Sequence, residues 1–199
     1  MAEIPMPPGD LEDVQIELDQ NFQVNRSIWT GSRRVSGMPG TQKWYASAVV
    51  PDISTEEQER PWRAFLLSLR GPVHRFRFPV ACNQRAGSNP TVRIGATPFS
   101  TLPLQGLPAN VTALSAGQFM TVPLPSGHHR LVMLTAPLVT NGQGLATATF
   151  VPELTGSPAA GTMVETINPY LHAALLSPRQ GWKTNGGVSA FTIDAEEAL

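Results

Sequence analysis

The sequence predicts a mainly β fold with one principal helix, and three observations carry that prediction. The 199-residue chain holds nineteen prolines and seventeen glycines while 41% of it is apolar, the mix of a globular chain cut into short strands by many turns. Residues 73–80 alternate, with His74, Phe76, Phe78 and Val80 on one face and Val73, Arg75 and Arg77 on the other. A clear helical period appears at Trp62, Phe65, Leu66 and Leu69, which fall at i, i+3, i+4 and i+7.

A tryptophan-bearing strand begins at Trp44 and runs to the Pro51-Asp52 turn. The helix then spans about 55–70, with Ser54 and Glu57 at capping-box spacing and Gly71-Pro72 as its stop. Pro61 lies inside this pattern, where it removes a donor and crowds the preceding turn, so either a kink or a start near Pro61 is expected. Further strands are expected at 91–94, 120–122, 130–134 and 145–151, separated by turns such as Ser126-Gly127-His128 and Asn141-Gly142-Gln143-Gly144. Near the C-terminus, Asn185-Gly186-Gly187 marks a hairpin that leads into a strand at 188–193.

Charge divides the chain. Residues 1–85 carry ten basic and ten acidic side chains, whereas 86–178 carry only Arg93, Arg130, Glu153 and Glu165. Residues 179–199 return to ordinary charge with Arg179, Lys183, Asp194, Glu196 and Glu197. The pattern predicts a charge-poor domain at 86–177 inserted into another built from 1–85 and 178–199. A surface so short of charge is either solvated by Thr, Ser, Asn, Gln and Gly or covered in an assembly.

Function classes narrow by exclusion. The net charge of −1 gives no global field to recruit nucleic acid or a membrane. No segment approaches the roughly 18 apolar residues of a spanning helix, and the N-terminus has no signal-peptide pattern, so a soluble, cytosolically made chain is expected. The lone Cys82 excludes an intramolecular disulfide and reads as a buried, unpaired, metal-free residue. His128 and His129 follow a turn, point to opposite strand faces and read as a solvated strand entry, while His74 reads as a core histidine. Arg33-Arg34 and Arg75/Arg77 read as cations on wet faces, and the glycine-rich pieces lack phosphate-loop spacing. No catalytic, cofactor or metal constellation emerges, so no site residues are assigned.

One resemblance organises these readings. It rests on an N-terminal strand pair, Trp44, the Pro51-Asp52 turn, Trp62-Arg63-Ala64-Phe65, Leu69-Arg70-Gly71 and Phe76-Arg77-Phe78-Pro79. After the charge-poor middle it continues with Gly181-Trp182 and the segment Phe191 to Leu199. The order resembles the distal tail proteins of long-tailed, siphovirus-like bacteriophages and gene-transfer particles. That likeness implies a tail-tube-type β-barrel or sandwich from both chain ends, with a small barrel of oligonucleotide/oligosaccharide-binding (OB-like) shape inserted between them. It implies a homohexameric ring in the virion's tail tip, assembled in the host cytoplasm. The ring's partners are a tail tube protein and a baseplate hub protein, and DNA passes through its lumen without specific binding. It implies no enzyme activity, cofactor, metal or membrane. A carbohydrate-binding β module of a tail or adhesion apparatus is the alternative, although such binding needs aromatic platforms and the insert has only Phe99, Phe119, Phe150 and Tyr170 and no tryptophan; a hydrolase with a dispersed site ranks below it.

Overall fold

The computed structural model describes residues 1–38, 40–80, 87–96 and 99–199. Cys82 lies outside these residues. The fold is mainly β, with one α-helix among the described residues.

The chain opens with β1 (Glu12–Asp19), β2 (Phe22–Arg26), β3 (Arg33–Gly37) and β4 (Lys43–Ile53), followed by the helix α1 (Glu56–Ser68) and β5 (Arg75–Pro79). The middle supplies β6 (Thr91–Val92), β7 (Thr101–Gln105), β8 (Thr112–Leu114), β9 (Phe119–Pro123), β10 (His129–Leu134), β11 (Leu138–Val139) and β12 (Ala146–Val151). The end supplies β13 (Tyr170–Leu175), β14 (Lys183–Asn185) and β15 (Val188–Glu197).

Two antiparallel sheets dominate. The first has the order β1-β4-β15-β13-β5, with β14 paired to β15, so it draws on both ends of the chain. The second has the order β6-β7-β12-β10-β9, drawn from the middle. Both orders run from edge to edge, with no closing pair among the described residues. The expected boundary at 177/178 falls after β13, a strand that hydrogen-bonds to β5 and β15 in the first sheet. No alternation reveals β13 in sequence, because it is buried on both faces from Leu171 to Leu175.

Helix and first sheet share one core. Trp62, Phe65, Leu66 and Leu69 are all buried there with Trp44, Phe76, Phe78, Phe191 and Ile193. Phe65 meets Phe76 edge-on at 5.4 Å and Trp62 at 6.0 Å. The helix begins at Glu56, five residues before Pro61, so the expected start near Pro61 is not where it begins. Its N-cap is Thr55, one residue beyond the expected Ser54, and the Thr55 hydroxyl donates to the Gln58 side chain at 2.9 Å. Glu56, Glu57 and Glu59 complement the positive end of the helix dipole. Gly71 ends the segment at φ +64, with Pro178 backbone 3.1 Å from where a Cβ would stand, so glycine is required there. The second core holds Val92, Leu102, Leu104, Met120, Val122, Phe150 and Val164 among others.

Candidate functional site

Two features stand out for function: a buried polar junction between the sheets and an exposed arm. The junction grows from β10. Leu131 on this strand belongs to the first core, whereas Val132 and Leu134 belong to the second. Beside them lies Arg130, fully buried. Its Nη1 donates to Glu197 Oε2 at 2.5 Å, and its Nη2 donates to the Gln42 carbonyl at 2.7 Å. Glu197, the last residue of β15, is equally buried and also accepts from the Trp44 backbone N–H at 3.3 Å. His128 Nε2 lies 3.2 Å from the other Glu197 oxygen. The carboxylate thus meets a guanidinium, an imidazole and an amide, which offsets the loss of water that a buried charge suffers.

A second ring of contacts surrounds this pair. His172 on β13 stacks on His128 with centroids 5.7 Å apart and lies 5.2 Å from the His129 ring. His172 Nδ1 accepts from the His129 backbone N–H at 3.4 Å, which leaves the neutral ring's proton on Nε2, 3.5 Å from Glu3. Burial first, and then the charges of Arg75, His129, His128 and Arg77, hold the His172 pKa down to about 3. Burial and Arg77 likewise lower that of His129. His129 Nδ1 bonds the Tyr170 hydroxyl at 2.5 Å, and Arg77 lies 4.6 Å above the Tyr170 ring. The Thr121 hydroxyl donates to the Tyr170 carbonyl and accepts from its N–H, at 2.8 and 2.9 Å, and so ties β9 to β13.

This corrects the reading of His128-His129 as a solvated strand entry. His128 is buried, and both histidines belong to the junction. His74 is only half-buried, and its Nδ1 accepts from the Ala2 N–H at 3.3 Å. Arg77 pairs with Glu3 at 2.8 Å, because residues 2–4 run beside β5 and bring that acid to it. A sequence signal for the junction existed: Arg130 is one of four charges in 86–178 and sits in an apolar run, where a cation implies a buried partner. The partner's position, 67 residues away, had no local mark. Among the described residues no group of three or more His, Cys, Asp or Glu side chains is placed to hold a metal ion. Among them, too, no helix is long and apolar enough to cross a membrane.

The arm is built by β2 and β3, which extend the β1–β4 pair past its last rung, Asp19 opposite Lys43. Every residue of both strands is exposed. The tip closes on itself: Ser27 N–H donates to the Ser32 carbonyl at 2.9 Å, and Gly31, at φ +66, donates to the Ser27 carbonyl at 3.0 Å. Ile28 and Trp29 stand at this tip, each 95% exposed. Register places Phe22, Val24, Arg26, Arg33 and Val35 on one face, with Val24 opposite Val35 and Arg26 opposite Arg33. This face is apolar and cationic, and the chain itself does not cover it.

Compared with protein-family models and with curated proteins, the chain matches none.

Proposed function

We propose that the protein is a structural ring subunit of a phage-type tail. In this reading six copies surround a DNA channel between a tail tube and a baseplate hub, with no catalysis and no cofactor. The exposed arm is the observation that carries it. An ordered hairpin with an unpartnered apolar face and Trp29 at its tip is a feature that a solitary soluble domain avoids and an assembling subunit uses. Two other features support the reading. The buried junction ties β10 to β15 and to the Gln42 carbonyl, a cross-link of the kind that suits a subunit of a closed ring. Arg77 is paired with Glu3 and stacked on Tyr170, so it is not a free cation that would hold passing phosphates.

The carbohydrate-binding alternative has little aromatic surface to work with in the middle region. Phe150 is buried, Phe119 packs edge-on against Trp44 at 5.8 Å, and Tyr170 is engaged by His129 and Arg77; Phe99 alone of the four is exposed. Native mass measurement tests the proposal: a mass near six times 21.4 kDa is expected. A chain that stays monomeric at high concentration, or a particle reconstruction that places it off the tail axis, refutes the ring.

A further inference from the structure

We infer that the β2–β3 arm of one copy docks, Trp29 first, into a groove beside the helix of the next copy. The inference rests on the ring reading for its setting, but its evidence is separate. The groove has a volume of about 470 Å³ and lies between the N-terminal prolines, the end of β4 and the start of α1. Pro8, Pro61 and Trp62 give it apolar walls, and Asp10, Asp52 and Glu57 give it negative charge.

The two surfaces complement each other in charge and in shape class. From Gln20 to Pro51 the chain has no acid, and the arm carries Arg26, Arg33 and Arg34. Arg26 and Arg33 stand directly opposite on one face, a like-charge pair that destabilises a lone hairpin. An acid delivered between them relieves that repulsion. Among the described residues no ion pair engages these three arginines, and none engages Asp10, Asp52 or Glu57. Lys183, across a neighbouring hollow, does not pair with Asp52 either. The arm is exposed along its length, so it does not fill the groove of its own chain. Proline walls are ordered before docking, which lowers the entropy lost on association. Trp and Arg are the side chains that most often dominate such contacts. Since arm and groove are different surfaces, the contact is head-to-tail, the kind that closes into a ring when the rotation permits.

A charge exchange tests this. One variant carries Arg26→Glu and Arg33→Glu; the other carries Asp52→Lys and Glu57→Lys. All four positions are exposed, so both variants keep the fold, as circular dichroism and melting unchanged from the wild type in dilute solution will verify. Each alone puts like charges on its arm and its groove, and assembly is expected to weaken at least about tenfold. An equimolar mixture restores it, because alternating copies present an acidic arm to a basic groove and a basic arm to an acidic groove. Trp29→Ala weakens wild-type assembly by a similar factor and is not rescued by mixing. If both charge variants assemble like the wild type, the docking is wrong and the ring reading stands. If each dissociates and the mixture stays silent, the docking is again wrong. If the mixture recovers but only as dimers or open chains, the docking stands and the closed ring falls. A wild type that never associates overturns both.

Discussion

The junction and the arm invert the usual rule of protein surfaces in opposite directions. At the junction, Arg130 and Glu197 are buried at the meeting of the two cores. On the arm, Trp29 and Ile28 stand in solvent. A buried ion pair is weak evidence for stability, since desolvation can outweigh the attraction. What it supplies is specificity of place: the guanidinium finds an acceptor only if β10, β15 and the Gln42 carbonyl are in register. The exposed aromatic has the complementary character. It adds nothing to the fold of one chain and becomes favourable only when another surface covers it. Charge placed inside ties the body together, and apolar surface placed outside is left uncovered by its own chain.

Breaking the junction should have the largest effect. Glu197→Gln leaves the buried Arg130 without its counter-charge and is expected to cost about 3–5 kcal/mol. Arg130→Met with Glu197→Leu removes both charges and should cost clearly less than either single change. Chemical denaturation of these two variants and of the Arg130→Met and Glu197→Leu single variants checks this. A double variant as unstable as the sum of the singles would mean that the pair does not act as a unit. As a control from the ordinary core, Phe65→Ala should cost about 3–5 kcal/mol through lost packing against Phe76 and Trp62. That loss has no charge component and should not change with salt.

The parts of this molecule that local pattern determines are legible in its sequence. The helix stripe at Trp62, Phe65, Leu66 and Leu69 is its own evidence, because burial on one side imposes the 3.6 period. The strands at Arg75–Pro79 and Val188–Glu197 alternate because one face meets the core. What escaped was whatever the sheet order created. Tyr170–Leu175 has no alternation, being covered on both sides, and its Ala173-Ala174 pair has little strand propensity. Thr101–Gln105 contains Pro103, which argues against a strand until Thr147 is seen opposite it. The junction was hidden for the same reason, since Arg130, Glu197 and His172 meet only after β10, β15 and β13 are assembled. The arm's exposed apolar face was hidden differently: alternation in Phe22–Arg26 predicts a covered face, and nothing within one chain reveals that the cover is missing.

Acid should loosen the junction more gently. Folding holds the His172 pKa near 3, mainly by burial, against about 6.5 for a free histidine. Between those values the unfolded chain binds a proton that the folded chain refuses. Stability is therefore unaffected by this group above pH 6.5 and falls as pH drops from 6.5 toward 3. The slope is at most about 1.4 kcal/mol per pH unit. The exposed side of Glu3, 3.5 Å from Nε2, is screened by water and offsets little of this. His172→Asn offers an amide oxygen in place of Nδ1 for the His129 N–H, and it should flatten the loss of stability between pH 7 and 5. His129, whose pKa is also lowered, accounts for the residual slope. Equal slopes in both proteins would show that His172 is not held neutral by the fold.

Trp29→Ser and Ile28→Ser change two large apolar side chains, yet neither touches the body of its own chain. In dilute solution, where copies are apart, each should shift stability by less than about 0.5 kcal/mol. A loss on the scale of Phe65→Ala would mean that the arm folds back onto its own sheet, and the contrast between fixed body and free arm would collapse. The difference should then emerge with concentration. Association stabilises the folded chain by mass action, so the wild-type melting temperature should rise as copies are added. Trp29→Ser, with its anchor gone, should melt at nearly one temperature throughout. Two melting curves that coincide when dilute and separate when concentrated would locate the role of Trp29 wholly between chains.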